Sequence, residues 1–143
     1  MGIYDRDYYQ PTRPGFSVRR PHSIVGTLIV VNVVAFLANG LLTPDNWITR
    51  HLAAHVGTLW KPWMWWQFLT YGFAHDPNGF HHILFNMLGL WFLGRDIEWT
   101  YGRSEFLRLY LALLLVGSLS WAIINYLLGN PGGTVIGASG AIV

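Results

Sequence analysis

Phe-His-His-Ile-Leu-Phe-Asn-Met-Leu-Gly-Leu-Trp-Phe-Leu-Gly, residues 80–94, is a run of fifteen mostly apolar residues without a formal charge, and its polar side chains His81, His82 and Asn86 gather near its start. The run is too long for an ordinary strand and shorter than the roughly 20 helical residues that cross a hydrocarbon core about 30 Å thick. It is either a buried amphipathic helix of a water-soluble domain or a short helix crossing a locally thinned bilayer. Its neighbours decide. Ile24–Leu42 supplies 19 residues free of charge and residues 109–128 supply 20, each enough for one crossing. Composition agrees: 52% of the 143 residues are hydrophobic and 11% are charged, less than half the share of about 25% found in soluble domains. The expected fold is an all-α polytopic membrane protein.

The sixteen formal charges leave residues 21–44, 77–94 and 109–143 empty of Asp, Glu, Lys and Arg. The last gap holds more than one helix, because Gly129, Asn130, Pro131, Gly132 and Gly133 form a turn. A fourth helix is expected from about Thr134, and with residues 135–143 supplying about 13 Å of rise, the chain is expected to stop inside it. Arg6, Arg13, Arg19, Arg20, Arg95, Arg103 and Arg108 fall on one side of this topology, and Arg50 and Lys61 on the other. The excess of arginine places the amino terminus and the 95–108 loop in the cytoplasm. Residues 1–23 read as a disordered cytoplasmic tail and 24–143 as the membrane domain. The connection 43–79 lies outside and holds Trp47, Trp60, Trp63, Trp65 and Trp66, with residues 60–68 expected along the headgroup layer.

Chemistry has to come from polar groups inside the helices. His82 and Asn86 are four apart, on one helical face, and sit roughly 5 to 10 Å below the outer surface; Ser139, on a helix entering from the same side, sits roughly 6 Å down. An imidazole, a carboxamide and a hydroxyl at one depth imply a shared polar cavity, since such groups are costly in hydrocarbon unless paired or hydrated. Each also has a plainer reading. Asn86 can bond a neighbouring helix, His82 can be an interfacial histidine, and Ser139 lies among Gly137, Ala138, Gly140 and Ala141, with Gly133 and Gly137 making a G-x-x-x-G packing match. The G-x-S-x-G esterase elbow fits poorly: Ala141 holds the last glycine position and no strand is expected before the serine.

Several classes drop out. With zero cysteines there is no disulfide scaffold, thiolate metal site or cysteine nucleophile. The H-E-x-x-H helix is missing, so no metal or other cofactor is expected. A net charge of +2 argues no nucleic-acid partner, and no intramembrane carboxylate suggests a channel or carrier.

His82-Ile83-Leu84-Phe85-Asn86, then Glu98-x-x-x-Gly102, then Gly137-Ala138-Ser139-Gly140 resemble, in order and in helix number, the motifs of the rhomboid family of intramembrane serine proteases. The resemblance covers residues 24–143, the first half to two thirds of a rhomboid six-helix core. It implies Ser139 as nucleophile, His82 and Asn86 as oxyanion-hole donors, and structural roles for Glu98, Gly102, Gly137 and Gly140. Glu98 would accept hydrogen bonds from nearby backbone or an arginine, and Gly102 would permit the turn that ends the second helix.

The family's general base is a histidine on the sixth helix. None of His22, His51, His55, His75, His81 and His82 matches it, so the chain as written is expected to be inactive, with activity belonging to a longer parent. His75 resembles a structural histidine of the family's first loop. Two departures concern geometry: Trp66 is followed by Gln67 where the family's first loop often carries a Trp-Arg pair, and Val143 stands where an aromatic residue often packs beside the catalytic histidine.

The expected function is cleavage of transmembrane-helix substrates in a bilayer, in a bacterial plasma membrane. The alternative is a rhomboid-like pseudoprotease that binds transmembrane helices for quality control or trafficking; retention of Ser139, His82 and Asn86 favours the enzyme.

Overall fold

A computed structural model describes residues 23–42, 44–76 and 78–142. The tail 1–22, Thr43, Pro77 and Val143 lie outside the described residues, and with them the expectations made for the tail, His22 and Val143. Seven α-helices are described: α1 (Ile24–Leu42), α2 (Trp47–Leu52), α3 (Gln67–Thr70), α4 (Phe80–Gly89), α5 (Arg95–Tyr101), α6 (Arg103–Leu127) and α7 (Ser139–Ile142). Two dipeptides, β1 (Ala54–His55) and β2 (Thr134–Val135), pair antiparallel.

α1 and α6 are long and apolar enough to cross a membrane, and only 22% of the most apolar window of each is buried. A core helix of a soluble protein would hide that surface. Here Val30, Val34, Leu41, Val116, Ile124 and Leu127 stand exposed, a distribution suited to lipid.

The stretch 80–94 is not a separate short helix. α4 runs into a π-helical turn at Leu90–Gly94 and on into α5 without a break, giving about 30 Å of continuous helix. Charge was a poor guide to its end, since Arg95, Asp96 and Glu98 continue the helix. The expected 95–108 loop reduces to Gly102, whose φ of 86° is comfortable only without a Cβ. There the chain reverses, and α6 starts at Arg103, six residues before the expected 109.

Glu98 ties this reversal to α1. Its carboxylate accepts hydrogen bonds from the Ser23 hydroxyl at 2.7 Å and the N–H groups of Ile24 at 2.8 Å and Val25 at 3.0 Å, covering orphan donors at the helix start. Arg103 stands 3.9 Å from the same carboxylate. The core between these helices packs Val25 and Leu28 of α1 against Leu90, Phe106, Tyr110 and Leu114, with Phe68 and Tyr71 of the long connection closing one end.

The fourth helix begins later than expected. Thr134 and Val135 form β2, Gly137 takes a φ of 97°, and helix starts only at Ser139. A strand therefore does precede the serine, although it is two residues long and pairs with a loop rather than a central sheet. Gly133 and Gly137 lie outside any helix, so the G-x-x-x-G spacing has no helical face to form.

Candidate active site

The connection between α1 and α4 is a packed layer pinned by polar side chains. The Asn39 carboxamide, at the end of α1, donates to Thr49 Oγ1 at 2.9 Å and accepts from the Ile48 N–H at 3.0 Å. Thr49 in turn donates to the His75 carbonyl at 2.7 Å. Gln67 is buried, donates to the His51 carbonyl at 2.9 Å and accepts from the Thr58 hydroxyl at 2.8 Å. A neutral amide thus holds the loop, and a buried amide carries no charge to desolvate. Trp60, Trp63, Trp65 and Trp66 are exposed, but Gln67 and Phe68 turn inward, so the expected surface stretch 60–68 ends at Trp66.

Tyr71 links this layer to the serine segment. Its carbonyl accepts the Gly137 N–H at 2.9 Å, and its hydroxyl donates to the Leu114 carbonyl of α6 at 3.1 Å. A Cβ at Gly140 would overlap the Tyr71 hydroxyl, and one at Gly117 would lie 2.8 Å from the Gly140 carbonyl oxygen. α6, α7 and the loop therefore meet backbone to backbone. β1 completes the clamp: Ala54 pairs with Val135, and the Val56 N–H bonds the Gly133 carbonyl at 3.2 Å. Ser139 is the first residue of the helix that this clamp positions.

His82 and Asn86 face the serine from α4. Asn86 is buried, its amide donates to the His82 carbonyl at 2.7 Å, and its Oδ1 makes no hydrogen bond. A Cβ on Gly137 would stand 2.8 Å from His82 Nε2 and 3.6 Å from Asn86 Nδ2. The left-handed glycine therefore lets the serine segment pass directly over both side chains. Ser139, His82 and Asn86 line one cleft of about 350 Å³, with His81, Phe85 and Ile142 forming the rest of its wall. The sequence-predicted trio converges; Glu98 and Gly102 lie at the far end of the α4–α5 helix.

Behind His82 lies His75, 1% exposed, its ring centroid 5.4 Å from that of His82. Neither ring nitrogen makes a well-aligned hydrogen bond, although the Phe73 carbonyl lies close enough to act on the ring. Burial, reinforced by the neighbouring His82 and opposed by the Phe73 carbonyl, pushes the His75 pKa down to about 4, so it is neutral at physiological pH. Sequence reasoning missed Tyr71, Gly117 and the full role of His75. Tyr71 and His75 sit in one short loop run, but nothing in its spacing says which side chains reach α6.

Long apolar helices with exposed flanks, and a hydroxyl, an imidazole and a carboxamide gathered in one cleft, are the features of a helical membrane protein with a polar site. Residues 62–143 match the Rhomboid domain, and the chain belongs to the rhomboid family; it is an integral membrane protein. It is 36% identical over 80 residues to "Rhomboid protease GluP" of Bacillus subtilis (strain 168), a match covering 55% of this chain and 15% of that protein. It is 27% identical over 107 residues to "Putative rhomboid protease YdcA" of the same organism, covering 67% of this chain and 51% of the relative. The chain thus spans at most about half the length of the curated relatives it matches.

Proposed function

We propose that the complete protein is an intramembrane serine endopeptidase that cleaves a peptide bond in or beside a substrate's transmembrane helix. Ser139 Oγ attacks the scissile carbonyl carbon and gives its proton to a general base. The carbonyl oxygen, now an oxyanion, is held by His82, the Asn86 amide and the Ser139 N–H. Collapse breaks the C–N bond, the amine leaves with the base's proton, and water hydrolyses the acyl-serine ester. The resemblance to the rhomboid family assigns the base to a histidine on a later helix, to which none of the six histidines here corresponds. The observation that carries this reading is the single cleft shared by Ser139, His82 and Asn86 in a chain of the rhomboid family.

Three crossings, with the amino terminus in the cytoplasm and the cleft under the outer headgroups, are the topology we propose, on the strength of the arginine distribution. Similarity to two bacterial proteins supports a bacterial plasma membrane. Retention of all three side chains speaks against a non-cutting relative. The test is cleavage of a transmembrane reporter by the full-length protein reconstituted in liposomes. Wild type cuts and Ser139→Ala does not; undiminished cleavage by Ser139→Ala refutes the nucleophile.

A further inference from the structure

The helix over residues 80–101 carries the cleft at one end and a second polar feature at the other. Trp91, Arg95 and Trp99 recur every four residues and stand on one face. The Arg95 guanidinium lies 5.2 Å from the Trp91 ring centroid, a cation–π distance, and Trp99 is 90% exposed. These three, with Phe92, Leu93 and Asp96, line a groove of about 580 Å³. Among the described residues the ion pairs are Arg103 with Glu98 and Arg108 with Glu105, so Arg95 and Asp96 bring an uncompensated cation and carboxylate to the same groove.

Arg95 lies about 20 Å along the helix from His82, which puts the groove near the opposite headgroup layer of the bilayer. Tryptophan prefers that layer. Phe92 and Leu93 add exposed apolar surface to the same groove. A ligand matching this lining has a phosphate for the guanidinium, a hydrogen-bond-donating cation for the carboxylate, and a hydrocarbon body. We propose that the groove is a specific site for a phospholipid with a primary-ammonium headgroup, of the phosphatidylethanolamine type. Its phosphate pairs with Arg95 and its ammonium donates to Asp96. A trimethylated choline head has no N–H to give Asp96. An anionic glycerol head carries no cation to offset that carboxylate.

The test is lipid titration of the purified protein in detergent, read by native mass spectrometry, with phosphatidylethanolamine, phosphatidylcholine and phosphatidylglycerol added separately. The ethanolamine lipid binds about tenfold more tightly than the other two, the equivalent of about 1.4 kcal/mol. Asp96→Asn weakens the ethanolamine lipid to the level of the choline lipid, and Arg95→Gln weakens both. Both side chains are exposed, so the variants keep their helical circular dichroism. Millimolar O-phosphoethanolamine leaves the lipid bound. Equal or tighter binding of the choline or glycerol lipid overturns the proposal, as does an unchanged affinity in either variant. Displacement by O-phosphoethanolamine overturns the lipid source in favour of a soluble ligand.

Discussion

Gly117→Ala tests whether the serine is positioned by a backbone-to-backbone crossing. The added Cβ would stand 2.8 Å from the Gly140 carbonyl oxygen and 3.5 Å from the Tyr71 hydroxyl. Ordinary contact needs about 0.6 Å more, and a carbonyl cannot rotate away as a flexible side chain could. Overpacking of this kind costs about 1–3 kcal/mol, offset by up to about 1 kcal/mol from replacing a helical glycine with alanine. The control is Gly57→Ala, where nothing lies within 4 Å of the new Cβ and a gain of about 0.4–1 kcal/mol is available where the backbone suits alanine. The two variants should therefore differ by about 2 kcal/mol. The assay is reversible unfolding of the full-length protein in mixed micelles, followed by tryptophan fluorescence, with reporter cleavage measured in parallel. Gly117→Ala should be the less stable and should cut more slowly, because the displaced carbonyl belongs to the residue after Ser139. A Gly117→Ala protein as stable and as fast as Gly57→Ala would refute the tight crossing.

Asn86→Ala in the full-length protein should lower kcat by about 10²- to 10³-fold with little change in KM, the mark of a donor used mainly in the transition state; a raised KM with kcat unchanged would point to substrate binding instead. Burial acts to raise the Glu98 pKa, but its hydrogen bonds from Val25, Ser23 and Ile24, with Arg103 nearby, outweigh it and hold it below the ordinary 4.5. Its stabilisation is therefore complete above that value and is lost as pH falls through the lower folded value. Unfolding titrations of Glu98→Gln should show less acid sensitivity there and a uniform loss of about 1–3 kcal/mol from an unmet backbone donor. His75, neutral when folded with a pKa of about 4 against an ordinary 6.5, contributes stability that is complete above 6.5 and declines as pH drops toward 4, by at most about 1.4 kcal/mol per pH unit. His75→Phe should flatten that slope; an unchanged slope would mean another group carries it.

The helical membrane character was legible because charge-free runs of crossing length have few other uses, and the gathering of His82, Asn86 and Ser139 in one cleft was legible from helix order. Element ends were not. Arg95, Asp96 and Glu98 looked like a loop because charge suggests an interface, yet they extend the helix, Arg95 lying over Trp91, Glu98 meeting the start of α1 and Asp96 standing exposed. The serine segment was read as helix from Thr134 because Thr134, Val135 and Ile136 are apolar enough for one. The pairing with Ala54 and His55 that makes it a strand is a contact across 79 positions, invisible to local pattern. Gly137 looked like a packing glycine and proves to be a glycine of conformation, required by φ and by the His82 ring beneath it. Tyr71 carried no signal, since its importance lies in two atoms that touch other elements.

The most direct test of the central claim is covalent labelling of the full-length protein with a fluorophosphonate, which reacts with a hydroxyl only when a base and an oxyanion hole activate it. One adduct is expected, mapped by peptide mass spectrometry to Ser139, absent in Ser139→Ala and slowed about 10²-fold or more in Asn86→Ala. An adduct on another residue, or labelling of Ser139 at an unchanged rate without Asn86, would contradict it.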